Sequence, residues 1–275
     1  MANLSPEQIK KYQDKGYIAP IEALTKDEAN EVKEEIEFIE KKWPNELKGL
    51  GRNYVHLISP IFDKIVHNSK ILDAVEDIIG KNILVGGTTL FIKDPDKKGF
   101  VSFHQDAKYI GFEPHNWVTA WLAITDSNEE NGCMRMYSGT HKEGLKVHNE
   151  KFNDENLLTR GQTVENVPIE QTEPVILKAG QMSLHHPKIV HGSGINRSDK
   201  RRIGFVIQSY IGTNVEQVIG KVYVQQARGE DLFNYHEHTK RPVNTMEKEN
   251  IDIRNKANEA LSKIFYSGLS QKGKF

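Results

Sequence analysis

Phe103-His104-Gln105-Asp106 sets a histidine and a carboxylate two positions apart. In an extended segment residues i and i+2 leave the same face, so both side chains can reach one ion. A third ligand must come from elsewhere, and the candidate is His191, 87 residues downstream in Val190-His191-Gly192-Ser193-Gly194. In a jelly roll, strands far apart in sequence become neighbours. Two neutral imidazoles and one carboxylate on one face of an octahedron leave three positions open, which suits iron(II) that must bind a co-substrate and dioxygen (O2) together. Zinc also accepts two histidines and a carboxylate, so residue types alone leave the metal open. Arg202, eleven residues after His191, tips the choice towards iron. Its planar fork matches a carboxylate in two parallel charge-assisted hydrogen bonds and could hold the distal end of 2-oxoglutarate while the keto acid end chelates the metal. Arg201 should point to the opposite face, and a one-residue register error would exchange the two.

A histidine in a β protein is more often a core or surface residue than a ligand, and this chain has eleven. His56, His67, His115, His141, His148, His236 and His238 take that plain reading first. His185-His186 is a tempting second metal pair, but strand neighbours face opposite ways and could not easily share an ion. Trp117, Thr119 and Trp121 alternate with Val118, Ala120 and Leu122, which reads as a strand packed on both faces. Lys93 and Tyr109 divide evenly between pocket and surface, Lys108 reads as surface or lid, and Asn53 or His56 could face substrate. Lys108, Arg135, Arg160 and Arg52 are candidates for an anion clamp.

The elements that must position these residues begin with helices. Ser5-Pro6-Glu7-Gln8 and Thr25-Lys26-Asp27-Glu28 are capping boxes, in which the Ser or Thr side chain accepts from a first-turn amide and the fourth residue reaches back. A third helix is expected over Ser69 to Ile79, closed by Gly80, so the first eighty residues are expected to be mainly helical. From Asn82 the texture changes to short β-rich runs at Ile83-Leu84-Val85, Thr88 to Ile92, Asn116 to Ile124, Pro174 to Leu177 and Ile203 to Ile211. This spacing predicts a mainly β fold with flanking helices, its core a β-sandwich or jelly roll. The polar stretch from about 142 to 173 reads as an insertion or lid within an 82–212 core, and 213–275 as an extension with a helix over Thr245 to Ile264 and frayed last residues. The chain reads as a single 1–275 unit. With 37 Lys+Arg against 38 Asp+Glu there is no general field for nucleic acid or an anionic membrane surface, so neither is an expected partner. The single Cys133 excludes an intrachain disulfide and fits a reducing, cytoplasmic setting. The start of the chain has no apolar signal core, and no later stretch approaches the roughly 20 apolar residues of a membrane span.

The chain resembles the phytanoyl-CoA dioxygenase family of iron(II)/2-oxoglutarate oxygenases. The resemblance rests on Phe91-Ile92-Lys93 leading to His104-Gln105-Asp106, and on Trp121 followed by Asn131-Gly132-Cys133-Met134 and Ser138-Gly139-Thr140-His141-Lys142. It continues in His191-Gly192-Ser193-Gly194 with Asn196 and Arg202. It implies a double-stranded β-helix (cupin-like) core, metal ligation by His104, Asp106 and His191, and a 2-oxoglutarate clamp at Arg202 assisted by Ser193, with Lys93 and Trp121 as further neighbours. Related halogenating enzymes have a small residue where Asp106 stands, so hydroxylation is favoured here. The expected reaction is hydroxylation of a small, polar metabolite, with 2-oxoglutarate converted to succinate and carbon dioxide. A phosphonate such as 2-aminoethylphosphonate is preferred over an acyl-CoA or carrier-tethered substrate. The rivals from other classes are a non-catalytic metal- or ligand-binding jelly roll and a zinc hydrolase.

Overall fold

Both capping boxes form. In α1 (Pro6–Lys15) Ser5 accepts from the Gln8 amide, Gln8 returns to Ser5, and Gly16 at φ 83° closes the helix; α2 (Lys26–Lys42) repeats the device with Thr25 and Glu28. Then come α3 (Pro60–Val66), capped by Ser59, and α4 (Ser69–Ile79), capped by Asn68. The computed structural model describes residues 4–158 and 160–267. The N-terminal part is less purely helical than its caps suggest, because strand β1 (Tyr17–Glu22) lies between α1 and α2. Its Tyr-Ile-Ala-Pro-Ile-Glu sequence has no clean alternation, and what makes it a strand is pairing along an edge, where Pro20 is tolerated.

The other strands of the two main sheets are β2 (Ile83–Lys93), β3 (Val101–His104), β4 (Trp117–Ala123), β5 (Met134–Tyr137), β6 (Glu173–Pro174), β7 (Gln181–His185), β8 (Val190–Ser193), β9 (Arg202–Gly212), β10 (Tyr223–Arg228) and β11 (Glu237–His238). Among the described residues they build a seven-stranded sheet in the order β1-β7-β4-β9-β2-β10-β11, and a four-stranded sheet in the order β3-β8-β5-β6. This is the double-stranded β-helix that the family resemblance implies, and a form of the jelly roll that the strand spacing predicts. Two runs differ in detail. Ile83–Val85 and Thr88–Ile92 are one strand, with Gly86 and Gly87 absorbed where the register against β9 shifts at Ser209. The expected strand at Pro174–Leu177 shrinks to Glu173–Pro174, and Leu177 makes only an isolated bridge to Ser127.

Period-two alternation in the large sheet separates core from site. Leu90, Ile92, Val118, Ala120, Leu122, Ile203 and Phe205 join the helices in the main apolar cluster, while Thr89, Phe91, Thr119, Trp121, Arg202 and Val206 line the space facing the small sheet. Each buried aliphatic side chain contributes roughly 1.5–3 kcal/mol, and a one-residue slip would drive Arg202 into the helix-covered core in place of Ile203. The core thus fixes which residues face the cavity. At the far end, α5 (Lys248–Phe265) packs Ala257 and Leu261 on Tyr54 and Leu57. No helix among the described residues is long and apolar enough to cross a membrane. The tail after residue 267, expected to be frayed, lies outside the described residues.

Candidate active site

His104 ends β3 and His191 lies on the adjacent β8, directly opposite it in the antiparallel register. The two rings lie 4.2 Å apart. His104 Nδ1 donates to the Ser102 carbonyl at 2.9 Å and His191 Nδ1 to that of Ile189 at 3.1 Å. These bonds assign both protons to Nδ1 and leave each Nε2 lone pair facing Asp106. Asp106 Oδ1 is 3.3 Å from His104 Nε2 and 3.9 Å from His191 Nε2. Donor atoms from the three residues lie within 4.8 Å of one another.

Protonation suits a metal. Burial, followed by the neighbouring His104, holds the His191 imidazole well below its ordinary pKa, so it is neutral. Burial alone would raise Asp106, but positive charge placed where the His191, His104 and His185 rings face it holds its carboxyl well below the ordinary range, which is where a cation would sit. Neutral imidazoles and an ionised carboxylate are the forms a divalent ion requires, so the donor set fits iron(II).

Gln105, the residue between ligand candidates, turns away and braces the segment. Its side chain donates to the Gly144 and Lys188 carbonyls and accepts from the Lys146 amide. On the site side, Thr119 Oγ1 donates to Asp106 Oδ2 at 3.0 Å.

Across the cavity the large sheet presents Arg202, 2 % exposed, directly opposite Lys93 in the β9–β2 register. Its guanidinium stands 5.2 Å over the Trp121 ring. Among the described residues its only hydrogen bond is a long one from Nη2 to the Gly132 carbonyl at 3.3 Å, and its Nε has none. Burial pulls its pKa down to about 10. A buried cation so poorly paired is poised for an anionic ligand. Lys93 is fully buried rather than on the surface, its Nζ donating to Ser193 Oγ at 2.7 Å and to the Gly132 and Gly194 carbonyls. Burial, then the neighbouring Arg202 charge, pulls Lys93 down to about 6.

Asn53, Tyr109, Trp121 and Ser193 all line the cavity. Trp121 therefore does more than fill the core, and it lies so flat on β9 that a Cβ at Gly204 would sit 2.3 Å from its ring. His56 does not line the cavity. It is buried and bonded to Thr88 Oγ1 at 2.9 Å, and burial lowers its pKa to about 3. The four suggested clamp cations also lie elsewhere. Lys108 is exposed, Arg135 is bound to Glu129 and Thr172, Arg52 donates to the Leu47 carbonyl, and Arg160 holds Glu150 and the Phe265 carbonyl while stacking on Tyr109. Arg201 points to the outer face and pairs with Glu40 and Asp94.

Sequence reasoning missed His185. It is 1 % exposed, neither ring nitrogen has a hydrogen-bond partner among the described residues, and Nε2 lies 3.5 Å from Asp106 Oδ2. The signal was its opposition to His186, which shows that one of the pair must face inward. Reading the 142–173 insertion as polar also missed its inner surface, where Leu157 and Leu158 meet the cavity.

The phytanoyl-CoA dioxygenase (PhyH) family model matches residues 12–204. The chain belongs to the phytanoyl-CoA dioxygenase family. Its relatives within and around the family include the "Probable alpha-ketoglutarate-dependent hypophosphite dioxygenase" of Stutzerimonas stutzeri, 26% identical over 233 residues, covering 78% of this chain and 81% of that one. The peroxisomal phytanoyl-CoA dioxygenase of Bos taurus is 26% identical over 226 residues, covering 71% of this chain and 65% of that one. Among solved structures, the non-heme monooxygenase ThoJ in its apo form superposes with a TM-score of 0.83 at 28% identity, covering 94% of this chain and 98% of that one. CytC3 with Fe(II) and alpha-ketoglutarate gives 0.67 at 20% identity, covering 89% and 96%, a likeness of fold. This family member is a non-haem iron, 2-oxoglutarate-dependent dioxygenase acting on a small molecule.

Proposed function

We propose that His104, Asp106 and His191 hold iron(II), that Arg202 with Ser193, Lys93 and Trp121 forms the 2-oxoglutarate site, and that the enzyme hydroxylates a small polar metabolite. The observation that carries this reading is the convergence of three donors on one side of a cavity, facing a buried, nearly unpaired guanidinium on the other. Bound iron(II) supplies the oxidising chemistry, in which 2-oxoglutarate becomes succinate and carbon dioxide and one oxygen atom of O2 reaches the substrate. The chain's own part is placement. Backbone carbonyls orient both imidazoles, and Thr119 on Oδ2 turns Asp106 so that Oδ1 faces the imidazole nitrogens. Arg202 provides the fork for the distal carboxylate, and Trp121 fixes the plane of that fork. Leu157, Leu158 and Phe265 exclude water from the outer wall.

Two finer substrate readings have support. The hypophosphite dioxygenase relative favours a phosphorus compound, such as a phosphonate like 2-aminoethylphosphonate. The phytanoyl-CoA relatives favour a CoA- or carrier-linked substrate of the same family chemistry.

The test is an anaerobic titration of iron(II) and 2-oxoglutarate, watching for the visible charge-transfer band of a chelated keto acid. A saturable band is expected in the parent protein, and none in Asp106→Ala. Tight zinc retention with no band would instead point to a hydrolase or a binding protein.

A further inference from the structure

The cavity changes character along β9. Arg202 stands at one end and Gln208 lines the cavity six residues further on, about 20 Å away at roughly 3.3 Å per residue. The cavity wall also includes Asn53, Tyr109, Ile110, Leu158 and Phe265, and Ile110 and Phe265 border a second, smaller cavity together with Gln208. Among the described residues lining the cavity, Arg202 is the only lysine or arginine and Asp106 the only carboxylate. On the co-substrate reading above, both are already engaged. Divalent iron, the dianionic keto acid, Arg202 and Asp106 then carry formal charges that cancel. Lys93 cannot turn to a second anion without breaking its bonds to Ser193 and two carbonyls.

What remains available at the Gln208 end is neutral. The Gln208 side-chain amide has no hydrogen-bond partner among the described residues, although its backbone carbonyl lies 2.9 Å from Thr119 Oγ1. Asn53 accepts from Thr89 Oγ1 at 2.8 Å through Oδ1, which leaves its NH2 group undirected by the protein. Two primary amides set in an otherwise aliphatic and aromatic wall can donate to and accept from a neutral polar group. They offer an oxyanion no countercharge, and a buried ion without one is strongly disfavoured.

We propose that this chamber selects an uncharged substrate: an apolar body carrying a neutral hydrogen-bonding group of the amide type, read by Gln208 and Asn53. The proposal rests on the co-substrate reading and decides between its substrates, against a phosphorus oxyanion.

The test uses protein loaded anaerobically with iron(II) and 2-oxoglutarate, titrated calorimetrically with two probes of similar shape, benzamide and phenylphosphonate, while the charge-transfer band is monitored. Benzamide should bind saturably and phenylphosphonate at least ten-fold more weakly. Gln208→Leu should weaken benzamide at least five-fold with the band retained, and Gln208→Arg should bring phenylphosphonate to within a few-fold of benzamide. Phenylphosphonate binding as tightly as benzamide in the parent, or no saturable benzamide binding while the band is present, overturns the substrate proposal alone. A parent protein that gives no band sinks the underlying co-substrate reading, and this one with it.

Discussion

Replacing Arg202 by methionine should move stability and ligand affinity in opposite directions. The guanidinium is 2 % exposed, has one long hydrogen bond to a carbonyl, and is held at about 10 against an ordinary 12.5 because burial disfavours its charge. At about 1.4 kcal/mol per pKa unit, that burden is about 3 kcal/mol in the ligand-free protein. A carboxylate bound in the fork would remove most of it, so the same figure approximates what Arg202 adds to keto acid binding, about two orders of magnitude in affinity. Methionine retains much of the volume and none of the charge. Its loss of the Trp121 contact costs about 0.5–2 kcal/mol, so the melting temperature of ligand-free Arg202→Met should rise by a few degrees, at ~2–4 °C per kcal/mol. The 2-oxoglutarate titration should shift roughly a hundred-fold to higher concentration, with iron(II) binding unchanged. The assays are thermal unfolding of apo-protein and the anaerobic charge-transfer titration. A lower melting temperature together with unchanged 2-oxoglutarate affinity would refute the reasoning and make Arg202 a structural residue.

His185→Phe removes a buried donor beside Asp106 and should weaken cobalt(II) binding about ten-fold, as changes around metal-ligating residues commonly do; affinity within two-fold of the parent would show that His185 does not act on the carboxylate. Gly204→Ala should displace Trp121 and reduce 2-oxoglutarate affinity at least ten-fold while the far-ultraviolet circular dichroism stays unchanged, because the new Cβ would meet the ring at 2.3 Å. Lys93 sets a pH dependence. Its folded pKa of about 6 lies below its ordinary 10.5, so between those values the unfolded chain binds the extra proton. Stability should therefore rise with pH across that window and fall as pH drops from about 10 towards 6. Lys93→Met should flatten that slope in denaturant titrations at several pH values, and an unchanged slope would assign it to other groups.

Much of this site was legible because its chemistry is carried by short-range geometry. His104 and Asp106 sit at a spacing that an extended segment brings to one face, and alternation put Arg201 and Arg202 on opposite faces, with the register settled only by Ile203 and Phe205 packing into the helix-covered core. The fold class followed from strand spacing for the same reason. Other features were decided by distant partners. β1 exists through its pairing with β7, and its own sequence barely alternates. His185 faces the cavity only because β7 is seated between β1 and β4. Lys93 beside an Asp-Pro-Asp turn resembles an ordinary surface lysine until Ser193 and two carbonyls close around it. The clamp cations failed as a group because charge on a loop says nothing of direction, and Arg160 is drawn outward by Glu150 and the last turn of α5.

The metal-ligand candidates on β3 and β8 belong to the small sheet, and Arg202 and Trp121 belong to the large one. If the keto acid spans the two as proposed, the gap between the layers works as a ruler for the co-substrate. Its length depends on the packing of the apolar cluster that holds Met136, Val175 and Ile189 together with Trp121. Trimming one of them should miscalibrate the span, so that iron is still held but the five-carbon acid no longer reaches both of its anchors. Selectivity for 2-oxoglutarate over shorter or longer keto acids is, on this view, a property of core packing as much as of the residues that would bind it.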